Sequence, residues 1–298
     1  MVEVKVTELT KDYGHGRGIF DIDFEINKGE VLGFLGPNGA GKTTTIRHLI
    51  GYSNPDKGSA TILGMDASKK QAEIMNHIGY LPGEVFLPED MTGWGFIKMM
   101  KQMRHVKDDK HLNYLLKYFD VDPTGSLKRM SLGMKRKMAI VVAFIADPEI
   151  LILDEPTSGL DPAMQESFIS FMVEEKKRGK TILLSSHIFP EVEALCDRIA
   201  IIKEGKLVAR EDARKLLKTD KRRYVIDFAN KETAQKAAGA LNGQNQGKQI
   251  RINVPEEKIN NFFTELVHFN PKNIHEEKFD LESYFLDFYR SNKQFQTI

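Results

Sequence analysis

The stretch Val31-Leu32-Gly33-Phe34-Leu35-Gly36-Pro37-Asn38-Gly39-Ala40-Gly41-Lys42-Thr43-Thr44 decides the fold. Its first five residues are a short continuous apolar run, as in a strand covered on both faces, and the segment GPNGAGKT that follows matches GxxxxGK[ST] at every fixed position. A buried strand ending in a glycine-rich turn, with a helix starting near Lys42, aims backbone N–H groups and a helix N-terminus at one point. That point suits polyphosphate. Gly36, Gly39 and Gly41 allow backbone conformations and a close approach that a Cβ would block, and Pro37, Asn38 and Ala40 complete the cradle. Lys42 brings a point charge to the β- and γ-phosphates, the Thr43 hydroxyl can ligate Mg²⁺, and Thr44 can add a phosphate hydrogen bond. The motif by itself leaves ATPases, GTPases and kinases open.

Working outward, Phe20, Ile22, Phe24 and Ile26 alternate with Asp21, Asp23 and Glu25, the period of a strand buried on one face. The N-terminal Met1 to Thr10 also reads as a strand, and its acidic residues and alternating valines do not fit a signal peptide. Ile150 to Leu153, Thr181 to Ser185 and Ile199 to Ile202 are short apolar or β-branched runs expected of central parallel strands. Between them Pro162 to Arg178 reads as a helix with Met164, Phe168, Phe171 and Met172 on its core side and Gly179 ending it. Residues 84–148 are richer in Met, Lys and helix formers, with Thr92 as an N-cap and Asp122-Pro123 as a break, so we expect a helical insertion there.

The pattern changes after about residue 218. Strand Tyr224 to Phe228, helix Lys231 to Leu241, a loop holding Asn242, Gly243 and Gly247, strand Gln249 to Val254, and helical stretches near Glu256 to Phe269 and Leu281 to Arg290 describe a small α+β domain. We therefore expect two domains, 1–218 and 219–298, as the 298-residue length suggests. The basic run Arg214, Lys215, Lys218, Lys221, Arg222, Arg223 reads as a solvated linker between them. A formal charge of +1 demands neither nucleic acid nor an acidic membrane as partner. The single cysteine, Cys196, cannot form an internal disulfide and reads as a core thiol in a reducing compartment. No apolar stretch reaches the roughly 18 residues of a membrane helix.

A second chemical constellation is Ile150-Leu151-Ile152-Leu153-Asp154-Glu155, a buried strand ending in two adjacent carboxylates. Asp154 is placed to hold Mg²⁺, directly or through water, and Glu155 to orient and polarise an attacking water. His187 leaves the next strand at the same end and could contact a γ-phosphate.

Taken together these residues resemble the ATP-binding cassette (ABC) ATPases, over roughly residues 1 to 215. The resemblance extends to Pro156-Thr157-Ser158-Gly159-Leu160-Asp161, similar to the family's D-loop, to Leu184-Ser185-Ser186-His187, similar to its switch histidine, and to Tyr13, where members stack an aromatic ring on adenine. It implies an α/β P-loop NTPase core: a mixed sheet with helices on both faces, an antiparallel β subdomain and a helical insertion. Two motifs depart from the family pattern. Its signature LSGGQ stands here as Met130-Ser131-Leu132-Gly133-Met134, keeping Ser131 and Gly133, the positions that contact the γ-phosphate in the family. Its Q-loop glutamine is missing, Gly79-Tyr80-Leu81-Pro82 being followed by Gly83-Glu84. Either Glu84 substitutes as a ligand of Mg²⁺ or water, or the link from ATP site to partner is altered.

The resemblance implies ATP and Mg²⁺ as cofactors. It also implies a head-to-tail homodimer or heterodimer in which the signature motif of one subunit closes over nucleotide held by the other, and it counts Asp161 of the D-loop among the nucleotide-binding residues. The expected activity is that of an ATP-hydrolysing motor, in an exporter, driving a separate membrane-spanning permease from the cytoplasmic face. Residues Asp280-Leu281-Glu282-Ser283-Tyr284-Phe285-Leu286 resemble a C-terminal pattern of two-component bacterial exporter ATPases. The alternatives are a soluble ABC ATPase acting on nucleic acid or ribosomes, and a non-hydrolytic regulatory subunit. Too few residues separate Lys42 from Asp154 for the long coiled coil of chromosome-handling members, and Glu155 with His187 argues against the regulatory reading. No direct nucleic-acid contact is expected.

Overall fold

The computed structural model describes residues 1–217, 221–277 and 285, which fall into two compact units, Met1–Ala213 and the described part of Arg214–Asn292. In the first, the chain runs through β1 (Val2–Asp12), β2 (Gly18–Asn27), β3 (Val31–Leu35), α1 (Lys42–Leu49), β4 (Lys57–Ile62), β5 (Met65–Asp66), α2 (Gln71–Met75) and β6 (Ile78–Leu81). Three helices follow, α3 (Gly93–Met103), α4 (Lys110–Tyr118) and α5 (Leu132–Phe144), with a 3₁₀ turn at Leu127–Arg129. The unit closes with β7 (Ile150–Asp154), α6 (Pro162–Lys177), β8 (Thr181–Ser186), α7 (Phe189–Leu195), β9 (Arg198–Lys203) and β10 (Lys206–Asp212), and α8 (Ala213–Leu217) begins at its last residue.

Strands β10-β9-β3-β8-β7-β6 form a six-stranded mixed sheet, all neighbours parallel except β10 with β9. Strands β3, β7 and β8 are buried along their whole length, which is why the sequence shows apolar runs there instead of alternation. Along β3 successive residues face opposite layers. Leu32 and Phe34 join a core that also holds Ile46 and Leu49 of α1 and Val4, Ile22 and Ile62 of the antiparallel sheet β2-β1-β4-β5. Gly33 faces α7 so closely that a Cβ would come 2.7 Å from Cys196 Sγ. Cys196 is buried, as expected of a core thiol, and its surroundings push the thiol's pKa up.

The helix signals read from the sequence have physical counterparts. Thr92 caps α3 by accepting from the Gly95 N–H at 3.1 Å, and Asp161 caps α6, with Pro162 at its first position, by accepting from the Met164 N–H at 3.0 Å. Gly179 follows α6 with φ 83°, a conformation a β-carbon disfavours. Phe168, Phe171 and Met172 are fully buried, worth about 1.5–3 kcal/mol each in removed apolar surface. The insertion expected at 84–148 contains α3, α4 and α5.

The second unit contains β11 (Lys221–Asp227), α9 (Lys231–Leu241), β12 (Gln244–Gln246), β13 (Gln249–Pro255), α10 (Ile259–Val267) and β14 (Asn273–Glu277). Its antiparallel sheet order β12-β13-β11-β14 with this β-α-β-β-α-β sequence is the ferredoxin-like arrangement. Two of its strands were not anticipated. β12 lies in the stretch read as a loop, and β14 follows the last expected helix here. Both are short, polar and exposed, so neither carries the alternation that marks a half-buried strand. Arg222 and Arg223 lie on β11 rather than in a linker, pairing with Glu256, Glu276 and Glu277. Lys218 and, apart from Phe285, both the segment Leu281 to Arg290 and the 280–286 pattern lie outside the described residues.

One ionic cluster ties the end of α6 to the loop before β7. Asp147 accepts from Arg178 and Lys180, both at 2.5 Å, while Glu175 pairs with Arg178 at 2.8 Å and Lys180 at 2.9 Å. Burial alone would raise the Asp147 carboxyl, but its two cationic donors outweigh that and hold its pKa at about 2, against an ordinary 3.8. The carboxylate therefore stabilises the fold above the ordinary value, and that contribution is lost as pH falls toward 2. Asp147→Asn should lower Tm by a few degrees at pH 7, with the gap from wild type shrinking as thermal melts are repeated between pH 4 and pH 2. A gap independent of pH would contradict this.

Candidate functional site

The register of the parallel strands brings three chain ends together. Phe34 pairs with Ser185, and Asp154 with Ser185 from the other side, so the loops after β3, β7 and β8 leave from one edge of the sheet. In open α/β sheets this carboxyl edge is where ligands bind. A cleft of about 960 Å³ opens there, lined among others by Gly39, Lys42, Thr43, Glu84, Asp154 and Glu155.

The phosphate loop is shaped by its glycines. Gly41, the N-cap of α1, has φ 115°, and a Cβ there would lie 2.7 Å from Ile19 Cγ2. At Gly36 a Cβ would lie 2.6 Å from the Ile202 carbonyl oxygen. No side chain caps α1, which leaves the N–H groups of its first turn to a ligand. Lys42, buried, donates to the Gly36 carbonyl at 2.6 Å and the Pro37 carbonyl at 3.3 Å, and stands 3.3 Å from Glu155 Oε1.

Asp154, almost wholly buried, uses both oxygens. Oδ2 accepts from the Thr43 hydroxyl at 2.7 Å and Oδ1 from the Ser185 hydroxyl at 2.6 Å. A hydroxyl and a carboxylate converging on one point are hard oxygen donors of the kind Mg²⁺ takes alongside substrate phosphates and water. Among the described residues no group of three His, Cys, Asp or Glu could hold a metal by itself.

Glu155 follows on the strand tip. Its φ is 46°, in the left-handed region that costs a residue with a β-carbon roughly 1–2 kcal/mol. Its N–H donates to the Ser185 carbonyl at 2.9 Å, and His187 Nδ1 lies 3.4 Å from Oε1. The carboxylate is thus turned out of the strand direction, toward Lys42 and His187. Gly83 lies against this cluster: a Cβ there would be 3.3 Å from Asp154 Oδ2. Glu84, the next residue, is exposed and borders the same cleft. Nearby Tyr80, also in the lining, has its pKa pushed up to about 12 by burial and by Asp154.

Other expected site residues are not in the cleft. Tyr13 is 57% exposed and does not line it. Ser131 caps α5 through its hydroxyl, accepting from the Met134 N–H at 3.2 Å, and is exposed. Leu132, where the family has a glycine, points to solvent beside Gly159, and Gly133 also abuts Gly159. Ser131 and Asp161 are exposed, Gly133 is half-buried against Gly159, and none of the three lines the cleft that holds the phosphate loop of their own chain.

Two residues were missed. Arg136 is 2% exposed and gives its guanidinium to main-chain carbonyls at the ends of β6 and β7. In the run Lys135-Arg136-Lys137 only the helical phase could have separated the inward cation from its neighbours. Burial lowers its pKa, opposed by the fields of Asp154, Glu155 and Glu191. Glu191, buried on α7, accepts from Ser186 Oγ at 2.6 Å and from Thr157 Oγ1, joining the strand that leads to His187 with the loop after Glu155. Burial raises the Glu191 pKa against those hydrogen bonds.

Comparison with known proteins gives this edge a family. Residues 19–158 match the family described as ABC transporter. An uncharacterized ABC transporter ATP-binding protein of Bacillus subtilis, YhcH, is 37% identical over 210 residues, covering 69% of this chain and 68% of the relative. The bacitracin transport ATP-binding protein BcrA of Bacillus licheniformis is 36% identical over 208 residues, with 69% and 68% covered. A solved ATP-binding subunit of an ABC transporter superposes with a TM-score of 0.67 at 30% identity, covering 72% of this chain and 91% of that one.

Gly41→Ala combines a strained φ with a collision at Ile19, so it should lower Tm and weaken ATP binding by calorimetry by about tenfold or more. Wild-type affinity with unchanged Tm would contradict the geometry.

Proposed function

The chain belongs to the ABC transporter family as an ATP-hydrolysing, ATP-binding subunit, and on that footing we propose that it drives a separate membrane-spanning permease, in export, through ATP-dependent dimerisation. The observation that carries the proposal is that Ser131 and Gly133 do not line the cleft around the phosphate loop of their own chain. A γ-phosphate at Lys42 is out of their service unless a second subunit supplies them, so the site is completed head to tail by another copy or a related chain.

In this reading the main chain of Gly36 to Gly41, with Pro37, Asn38 and Ala40, cradles the phosphates. Lys42 leaves its carbonyl partners for the β- and γ-oxygens, Thr44 adds a hydrogen bond and Tyr13 stacks on adenine. Thr43 and Asp154 would hold Mg²⁺, which would supply charge neutralisation at the transferring phosphoryl group. Glu155 orients and polarises the attacking water, and its neighbour His187 contacts the γ-phosphate. Glu84, at the rim of the cleft, would serve as a further ligand of Mg²⁺ or water. Loss of the γ-phosphate removes a contact shared by both halves, and the dimer opens. Residues 1–218 form the motor and 219–298 an accessory domain.

No helix among the described residues is long and apolar enough to cross a membrane, and in this reading the transport path belongs to the permease, with this chain on its cytoplasmic face. The relative named for bacitracin transport supports transport as the work this chain drives, and export is the direction proposed for it.

Glu155→Gln should retain ATP binding, lose roughly 100-fold or more in phosphate release, and run as an ATP-stabilised dimer in size-exclusion chromatography. Unchanged phosphate release would remove Glu155 from its role. Lys42→Ala should weaken ATP binding by about tenfold or more in calorimetry, and equal affinity would sink its assignment. A polytopic membrane protein encoded beside this chain should co-purify with it, whereas co-purification with ribosomes alone would end the transport reading.

A further inference from the structure

Arg136 is a buried cation held by main-chain oxygens. Its Nε donates to the Pro156 carbonyl at 2.9 Å, Nη1 to those of Pro82 at 2.6 Å and Gly83 at 3.0 Å, and Nη2 to those of Asp154 at 3.4 Å and Glu155. Among the described residues no carboxylate oxygen forms an ion pair with it. A guanidinium taken out of water is tolerated only where its donors are met, and here five carbonyls meet them. Those carbonyls lie at the last residue of β7 and in the two loops that border the cleft, one after β6 and one after β7.

What the cation holds is unusual in conformation. Glu155 is the left-handed residue at the tip of β7, and its carbonyl is gripped by Arg136 while its N–H is held by Ser185. A strained residue persists when its surroundings over-determine it, and those two contacts fix both of its peptide groups. On the far side of the same loop, Glu191 fastens Thr157. The carboxylate of Glu155 takes its direction from this main-chain geometry.

Arg136 also stands on the first turns of α5, five residues after the helix cap Ser131, so about 7.5 Å of rigid helix joins the two. Gly83, where a family glutamine is absent, has no side chain to link the β6 loop to the site, and Arg136 supplies a link through that loop's carbonyls.

We infer that Arg136 is a positioning residue for hydrolysis, which sets the Glu155 carboxylate by clamping its main chain and ties that setting to the signature end of α5 and to the loop at Pro82-Gly83. This rests on the reading of Glu155 as the residue that polarises water. Arg136 is buried and does not line the cleft. Its loss therefore acts on turnover and spares binding.

The test uses the full chain, with MgATP as substrate, and compares Arg136→Met, Arg136→Lys and each of these combined with Glu155→Gln. Arg136→Met should lower kcat by about 10- to 100-fold while the KM and the calorimetric Kd for ATP stay within about twofold of wild type. Arg136→Lys, whose ammonium has three donors for five carbonyls, should fall between, and it decides the matter by its kcat if the Met variant does not fold. On the Glu155→Gln background, adding Arg136→Met should leave the residual rate unchanged, since the group it positions is already disabled. A wild-type kcat in the folded variants, a loss confined to KM, or an equal fold-loss on both backgrounds overturns the proposal. A Glu155→Gln chain that turns over normally removes the reading of Glu155 beneath it. An inactive Glu155→Gln beside fully active Arg136 variants removes the proposal alone.

Discussion

The pairing of Asp154 with Thr43 on one side and Ser185 on the other is the interaction on which the site depends. Three parallel strands must lie in a fixed register for one carboxylate to accept a 2.7 Å bond from the phosphate loop and a 2.6 Å bond from the neighbouring strand. A buried carboxylate without partners would cost several kcal/mol, so the two hydroxyls and the register enforce each other. Once Asp154 is fixed, Glu155 must leave the strand beside Lys42, and His187 must leave β8 beside Glu155. The catalytic reading follows from that strand order more than from any one residue.

Around this pin the chain departs from regular structure where chemistry needs it. Gly41 and Glu155 both take positive φ, one at the start of α1 and the other at the end of β7. The glycine adopts its conformation freely. The glutamate needs support, and Arg136, Ser185 and the Glu191 contacts to Thr157 and Ser186 provide it. Two buried ionisable residues outside the cleft lining are thus explained by one loop. Their carbonyl and hydroxyl partners span the ends of β6, β7 and β8, so a displacement at the cap of α5 is felt at Glu155.

The sequence was readable where local pattern and tertiary environment agree. The phosphate loop lies between β3 and α1 because its glycines sit where a Cβ would strike Ile19 or Ile202, and the apolar runs became strands buried on both faces. Thr92 and Asp161 cap helices as their side chains permit. It was not readable where a residue's role lies in a distant partner. Arg136 sits in a basic triplet and is told from its neighbours only by the direction it takes on α5, and Glu191 resembles any acid in a helix. β12 and β14 carry no alternation because their side chains are exposed, so only pairing across the sheet defines them. Tyr13 and Ser131 were read by resemblance, and their exposure outside the cleft is intelligible once a ligand and a second subunit are considered.

The central claim is that each chain holds half of each catalytic site. Subunit mixing tests it most directly, using Lys42→Ala, which disables the phosphate loop, and Ser131→Arg, which disables the signature face. Each variant alone should be inactive. In an equal mixture, half of the dimers pair the intact loop of one chain with the intact signature of the other, and the account predicts recovery to roughly a quarter of the wild-type rate if sites turn over independently. No recovery in mixtures shown to contain the mixed dimer, or a Ser131→Arg chain fully active by itself, would contradict it.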